Sequence, residues 1–247
     1  MTQIREHAEI ELDSPTLVEG MPGIGLVGKI ATDHLIDEFE MTYYASVHCE
    51  GLAPIGVYEE GSREVRPPVR LYADEGRDLL ALRSDVPVAV DTTSEFAACL
   101  TGWLDANDVD PLYLSGFPAE KTDAPPELFG VATSDVAADR LDRHEVGHPR
   151  LNGAIAGPAG ALLSRAAQID LDATALVVES DPRFPDPEAA RVLLTEGVEP
   201  LADIEVDVGG LVEQADSIRE QREQLAQRMQ EADTQESSQA QRIQMFQ

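Results

Sequence analysis

From Met41 to Val88 the chain runs through "MTYYASVHC", "APIGVYEE", "VRPPVRLYAD" and "RDLLALRSDVPV", with turns at Glu60-Gly61 and Glu75-Gly76. These stretches are rich in aromatic, β-branched and other apolar residues, and no helical spacing of three and four separates them. Strands that follow one another through short connections pair antiparallel, whereas parallel neighbours need a long crossover. The meander therefore excludes a purely parallel, doubly wound sheet and predicts a mixed one.

Upstream, Thr16–Val18 reads as a short strand, and "EGMPGIGLVGKIATDHL" follows it. Val27, Ile30, Ala31, Leu35 and Phe39 recur at helical spacing, so a helix starts within the glycine stretch. Gly23-x-Gly25-x-x-Gly28 has the spacing of a dinucleotide-binding loop, and Glu50 stands where a ribose-binding carboxylate would. Against that reading, Pro22 removes an N–H donor, and the meander after Cys49 is the wrong continuation. A second loop, "GAIAGPAGALL", repeats the device with Gly153, Gly157 and Gly160. The six glycines either form anion-binding loops or let helix and strand pack closely.

The remaining pattern alternates. A helix is expected over Thr92–Ala106 with Phe96, Cys99, Leu100, Trp103 and Leu104 on one side, followed by the strand "PLYLSGF". "ELFGVAT" and "LNGAIAGPAG" read as strands, the latter entering a helix over Ala159–Ile169. "ATALVVES" has the unbroken apolar character of a buried strand. Asp186-Pro187-Glu188 places a cap and an initial proline before a further helix, with Asp181 and Arg183 bracing its start. Residues 1–208 thus form one α/β domain. Residues 209–247 form a separate extension, in which Leu211, Ala215, Ile218, Leu225, Met229 and Ala232 keep a heptad spacing that Arg222 interrupts. This describes a helix that packs on a partner or on the body, or a weak coiled coil. "DTQESSQAQ" then reads as a flexible linker to the terminal "RIQMFQ".

Charge narrows the function classes. The net charge is −29, and the 18 basic residues include two lysines, Lys29 and Lys121. Carboxylates spread along the whole chain suit a salt-rich cytoplasm, where screening relieves self-repulsion, so a halophilic microbial source is expected. Without a cluster of cations, sequence-independent nucleic-acid binding is not expected. The sequence has no apolar run long enough to cross a bilayer, and the expectation is a soluble cytoplasmic protein. Cys49 and Cys99 lie far apart without C-x-x-C or Cys/His spacing, which argues against a disulfide framework or a zinc site. His144 and His148 sit beside Gly147 and Pro149 in a loop, not on one helical face. No catalytic residue, metal ligand or cofactor is expected.

"GMPGIGLVGKIATDHLI", "GAIAGPAGALL" and "VVESDPRFPDPEAARVLL" together resemble the archaeal members of the proteasome assembly chaperone family, related to the eukaryotic second assembly chaperone. The resemblance covers about residues 14–200. It implies a mixed-sheet, phosphorylase-like α/β sandwich and a homo-oligomeric binding protein. It also implies an assembly chaperone or ATP-independent activator that docks on the α-ring of the proteasome core particle. Family members dock through a C-terminal hydrophobic-tyrosine-any motif, which Met245, Phe246 and Gln247 match by position except that phenylalanine replaces tyrosine. Gln247 then offers its carboxylate to a pocket lysine. The alternatives are a phosphorylase-like nucleotide- or anion-binding enzyme using the glycine loops, and a substrate-recruiting adaptor.

Overall fold

The computed structural model describes residues 3–211 and 213, apart from 50, 51, 59, 121 and 123. Its centre is an 8-stranded sheet in the order β1-β3-β4-β5-β2-β6-β8-β7. The strands are β1 (Gln3–Glu6), β2 (Thr16–Gly20), β3 (Thr42–His48), β4 (Val69–Asp74), β5 (Leu79–Ser84), β6 (Asp110–Pro118), β7 (Leu128–Ala132) and β8 (Thr174–Ser180). The middle strands β5, β2, β6 and β8 run parallel, while β3, β4 and β5 form the expected antiparallel meander. Antiparallel β1 and β7 complete the two sides. The sheet is therefore mixed, as residues 41–88 require.

Side chains of the central strands alternate between two cores, as the two-residue period of a strand demands. Leu17, Leu80, Tyr113 and Ala175 enter one core, and Val18, Leu79, Leu112 and Leu176 the other. Helices α2 (Thr93–Ala106) and α4 (Gly157–Gln168) cover the first face. Helices α1 (Val27–Glu38), α3 (Asp135–Arg143), α5 (Pro187–Leu193) and α6 (Glu199–Ala202) belong to the second. The expected stripe on α1 is present, with Val27, Ala31 and Leu35 buried and Ile30 and Phe39 half-covered. Asp186 caps α5 by accepting the Ala189 N–H through Oδ1 at 3.3 Å, with Pro187 opening the helix.

Four expectations change. "APIGVYEE" contributes no strand, only the isolated antiparallel bridge Val57↔Arg66. Residues 151–156 form no strand and run directly into α4. Helix α3 arises where no helix was expected: Ser134 caps it by accepting the Ala137 N–H, and Leu141 anchors it. Its helical signal is short and mostly charged, so tertiary contacts establish it. Finally, Cys49 and Cys99 form a disulfide, their Cα atoms 6.0 Å apart. The end of β3 and the inner face of α2 share one core, which brings the two cysteines together despite their spacing in the chain.

The crosslink spans a sequence separation of 50, worth about 4 kcal/mol in the chain-entropy account. A dithiol reductant, or Cys49→Ser with Cys99→Ser, is expected to lower the calorimetric unfolding temperature by on the order of 10 °C. An unchanged transition would show that the pair does not restrain the unfolded chain.

Candidate functional site

The glycine turn joins β2 to α1 at the carboxyl ends of the parallel strands, where open α/β sheets commonly receive ligands. Here the turn packs inward. Gly25 has φ +62°, and a Cβ added to it would lie 1.8 Å from the Ser180 Oγ at the end of β8. The Asp186 N–H donates to the Gly25 carbonyl at 2.8 Å, tying the turn to the start of α5. Gly28 lies against Leu114 on β6, where a Cβ would meet the leucine Cβ at 3.2 Å. Gly23 has room, its nearest neighbour for a Cβ being the Met21 carbonyl at 4.0 Å.

The second loop differs. Gly160 permits close approach, since a Cβ there would fall 2.0 Å from the Ile155 carbonyl oxygen. Gly153 and Gly157 face open space, although Gly157 has φ +73°. The helices that the two loops open, α1 and α4, occupy opposite faces of the sheet. Of the six glycines, Gly25, Gly28 and Gly160 are tightly packed, whereas Gly23, Gly153 and Gly157 leave room for a Cβ.

Beneath α2 and α4, a buried carboxylate adjoins this region. Glu19 on β2 is wholly buried, with its neighbours Leu82 and Tyr113 in register on β5 and β6. Its Oε1 accepts the Met21 N–H at 2.8 Å, while Oε2 and the Tyr113 hydroxyl have no hydrogen-bond partner. Burial pushes the Glu19 pKa up to about 7, against the downward pull of the Met21 and Leu114 amides. Tyr113 is likewise pushed upward, by burial first and then by the Glu19 charge. The only sequence signal for Glu19 is one acidic residue inside the apolar run "TLVEG".

On the α1 side, five charged side chains meet. Lys29 Nζ lies 2.7 Å from Asp33 Oδ2, one helical turn along, and Arg83 Nε is 3.2 Å from Asp33 Oδ1. Arg70, only 1% exposed, places Nη2 2.6 Å from Asp85 Oδ2. Its other groups donate to the Tyr72 hydroxyl and the Pro67 carbonyl. A guanidinium at such depth needs these partners, and together they brace α1 against β4 and β5. Pattern reading missed this cluster because its members come from separate elements.

The other candidates are local. Asp181 Oδ1 accepts the Arg183 N–H at 2.9 Å, and Asp186 Oδ2 accepts the Asp181 N–H at 3.2 Å, so this acidic group organises the start of α5. His144 ends α3, and His148 lies 3.2 Å from Asp142. Among the described residues no three His, Cys, Asp or Glu side chains are arranged to hold a metal ion. No described helix is long and apolar enough to cross a membrane.

Comparison with known proteins adds the lineage. The profile of the PAC2 family matches residues 17–226. The chain belongs to the PAC2 family. A relative, the uncharacterized protein MJ0106 of Methanocaldococcus jannaschii, is 28% identical over 225 residues, spanning 90% of this chain and 89% of that one. The crystal structure of Pyrococcus furiosus PbaA, an archaeal homolog of proteasome-assembly chaperone, superposes with a TM-score of 0.80 at 25% identity. It covers 96% of this chain and 97% of PbaA. Pyrococcus furiosus PbaB, an archaeal proteasome activator, gives a TM-score of 0.79 at 23% identity, covering 91% of this chain and 98% of PbaB. In this PAC2 chain, Met245, Phe246, Gln247 and the heptad positions after Leu211 lie outside the described residues.

Two tests follow from the geometry. Gly25→Ala places a side chain at positive φ and against Ser180, so urea unfolding should show a loss of about 2–4 kcal/mol. Gly157→Ala should lose about 1 kcal/mol for its backbone alone, and Gly153→Ala almost nothing. Equal losses would contradict a packing role for the first turn. For Glu19, the folded pKa lies above the unfolded one, so the native state holds the extra proton and stability falls as pH rises from about 4.5 to about 7. Glu19→Gln should remove that decline and gain on the order of 3 kcal/mol relative to the parent above pH 7. Parallel stability–pH curves for the two proteins would refute the assignment.

Proposed function

We propose that this chain is a non-enzymatic binding protein of the proteasome, an assembly chaperone or ATP-independent activator. In this reading it docks its C-terminal Met245-Phe246-Gln247 in the α-ring pockets of the core particle. Membership of the PAC2 family carries the reading, through relatives of the same fold described as a chaperone homolog and a proteasome activator. The terminal sequence supplies the docking element: two apolar side chains and a carboxylate, the ingredients of pocket insertion coupled to pairing with a cation. Several weak tails on one homo-oligomer engage a ring of pockets together, and avidity offsets the modest affinity of each.

The body of the protein supports binding over catalysis. Gly25 is filled by its contact with Ser180, and the Gly116 backbone lies against the Ile24 carbonyl, where an added Cβ would come within 2.5 Å. Such close packing of the first glycine turn favours a packing role over an anion-binding one. We read the acidic surface as an adaptation to a salt-rich cytoplasm, so binding is best assayed in concentrated potassium chloride.

Deletion of Met245–Gln247 is expected to abolish co-sedimentation with purified core particles while the oligomer persists, and an extension placed after Gln247 should do the same by masking the carboxylate. Restoring a phenol with Phe246→Tyr should tighten docking roughly 2- to 10-fold, the worth of one added hydrogen bond of about 0.5–1.5 kcal/mol. Undiminished binding by the truncated protein would overturn the proposal.

A further inference from the structure

Two asparagines occur in the whole chain, Asn107 and Asn152, and their surroundings are opposite. Asn107 closes α2. Its Nδ2 donates to the Trp103 carbonyl at 2.7 Å and its backbone N–H to the Leu104 carbonyl at 3.2 Å, and Asp108 follows it at φ +52°. Amide nitrogen and main chain are both engaged there. Asn152 lies in the segment 151–156 ahead of α4, exposed beside Leu151, which is itself 79% exposed. Among the described residues no hydrogen bond holds the Asn152 side chain or the Gly153 N–H.

Gly153 has no packing reason of its own. A Cβ added to it would meet nothing within 4 Å, and its φ is not positive, so an alanine would fit the fold. What glycine alone supplies here is an unshielded backbone nitrogen beside an asparagine side chain, with the fewest steric limits on φ and ψ. Asn152-Gly153 is also the one place in the chain where asparagine or aspartate precedes glycine.

We propose that Asn152 is a site of spontaneous covalent modification, deamidating through a cyclic imide to isoaspartate and aspartate. The Gly153 nitrogen gives up its proton and attacks the Asn152 Cγ. A bond forms between the two, the bond from Cγ to Nδ2 breaks, and the amide leaves as ammonia carrying the proton. Water, the co-reactant, then adds to either carbonyl of the five-membered ring. Opening on one side gives aspartate, and opening on the other routes the main chain through Cβ and Cγ as isoaspartate. The step alters the surface where it occurs. Residues 151–164 are the longest run of the chain without a charged side chain, and deamidation sets a carboxylate within it. Further on, Ile155 packs against the core that α2 and α4 cover, so the new charge stays in the exposed part of the segment.

The test follows the full chain over time in mildly alkaline, concentrated potassium chloride prepared with heavy-oxygen water. Trypsin, used under mildly acidic conditions, cleaves after Arg150 and Arg165 and releases residues 151–165 for mass spectrometry. This peptide should gain the mass of an amide-to-acid exchange together with the heavy-oxygen label, and separate into two isomers on chromatography. Conversion should speed up as pH rises, since the attacking nitrogen must lose its proton. Gly153→Ala should slow it at least about tenfold, because a Cβ crowds the nitrogen, with the circular-dichroism melting curve unchanged. Unconverted peptide from the native chain, when the urea-unfolded chain converts, would show that the fold shields Asn152 and would overturn the proposal. Equal rates in the parent and in Gly153→Ala, or conversion at Asn107 as fast as at Asn152, would overturn it as well.

Discussion

The backbone contact at Gly25 ties the turn between β2 and α1 to the end of β8 and the start of α5. The Asp186 N–H reaches the Gly25 carbonyl, Ser180 fills the place of a missing Cβ, and Gly116 on β6 lets the Ile24 carbonyl lie against it. Residues more than 150 positions apart are thereby fixed at one edge of the sheet. The arrangement depends on glycine at Gly25, since a left-handed φ and a contact distance below any Cβ separation occur together there. A sequence spacing that elsewhere cradles a phosphate here admits another part of the same chain. The chemical consequence is a tightly packed turn, in which Gly25 and Gly116 let backbone segments approach more closely than any side chain would allow.

The unusual composition places its own demands on the interior. A chain with 47 acidic residues can keep most of them solvated, yet it buries Glu19 on β2 between β5 and β6 and sinks Arg70 of β4 beside Asp85. The two are handled differently. Arg70 is surrounded by Asp85, Tyr72 and Pro67 groups that compensate its desolvation. Glu19 receives backbone amides but no cation, so its environment favours the neutral acid. With cations scarce, three of them concentrated at Asp33 and Asp85 represent a considerable investment in orienting α1.

Elements with a complete local signal were legible from the residues. Helices α1, α2 and α5 show an apolar stripe, a cap or an initial proline, and β8 an uninterrupted apolar run, so each appears where periodicity places it. The weaker ones were not. Strand β1 is short and polar on an edge, and α3 is mostly charged with two buried residues, so contacts elsewhere in the fold decide them. The apolar stretch around Val57 forms only an isolated bridge with Arg66, since Ile55 and Tyr58 are exposed and add nothing to the core. Of the chemistry, the glycine spacing could be seen but not its packing partner Ser180, and the Arg70–Asp85 and Cys49–Cys99 pairs gave no sequence signal at all.

By itself the sequence determined the mixed character of the sheet, the helices with caps and stripes, and the likeness to a proteasome-chaperone family. Those properties are encoded within windows of ten to twenty residues, where backbone periodicity and turn chemistry act directly. Only the tertiary structure decided which strands became neighbours, that the glycine turn is tightly packed, that two distant cysteines meet, and that Tyr58 and Val65 are left exposed. Each of these is a contact between segments whose separation in the chain carries no information about their distance in space.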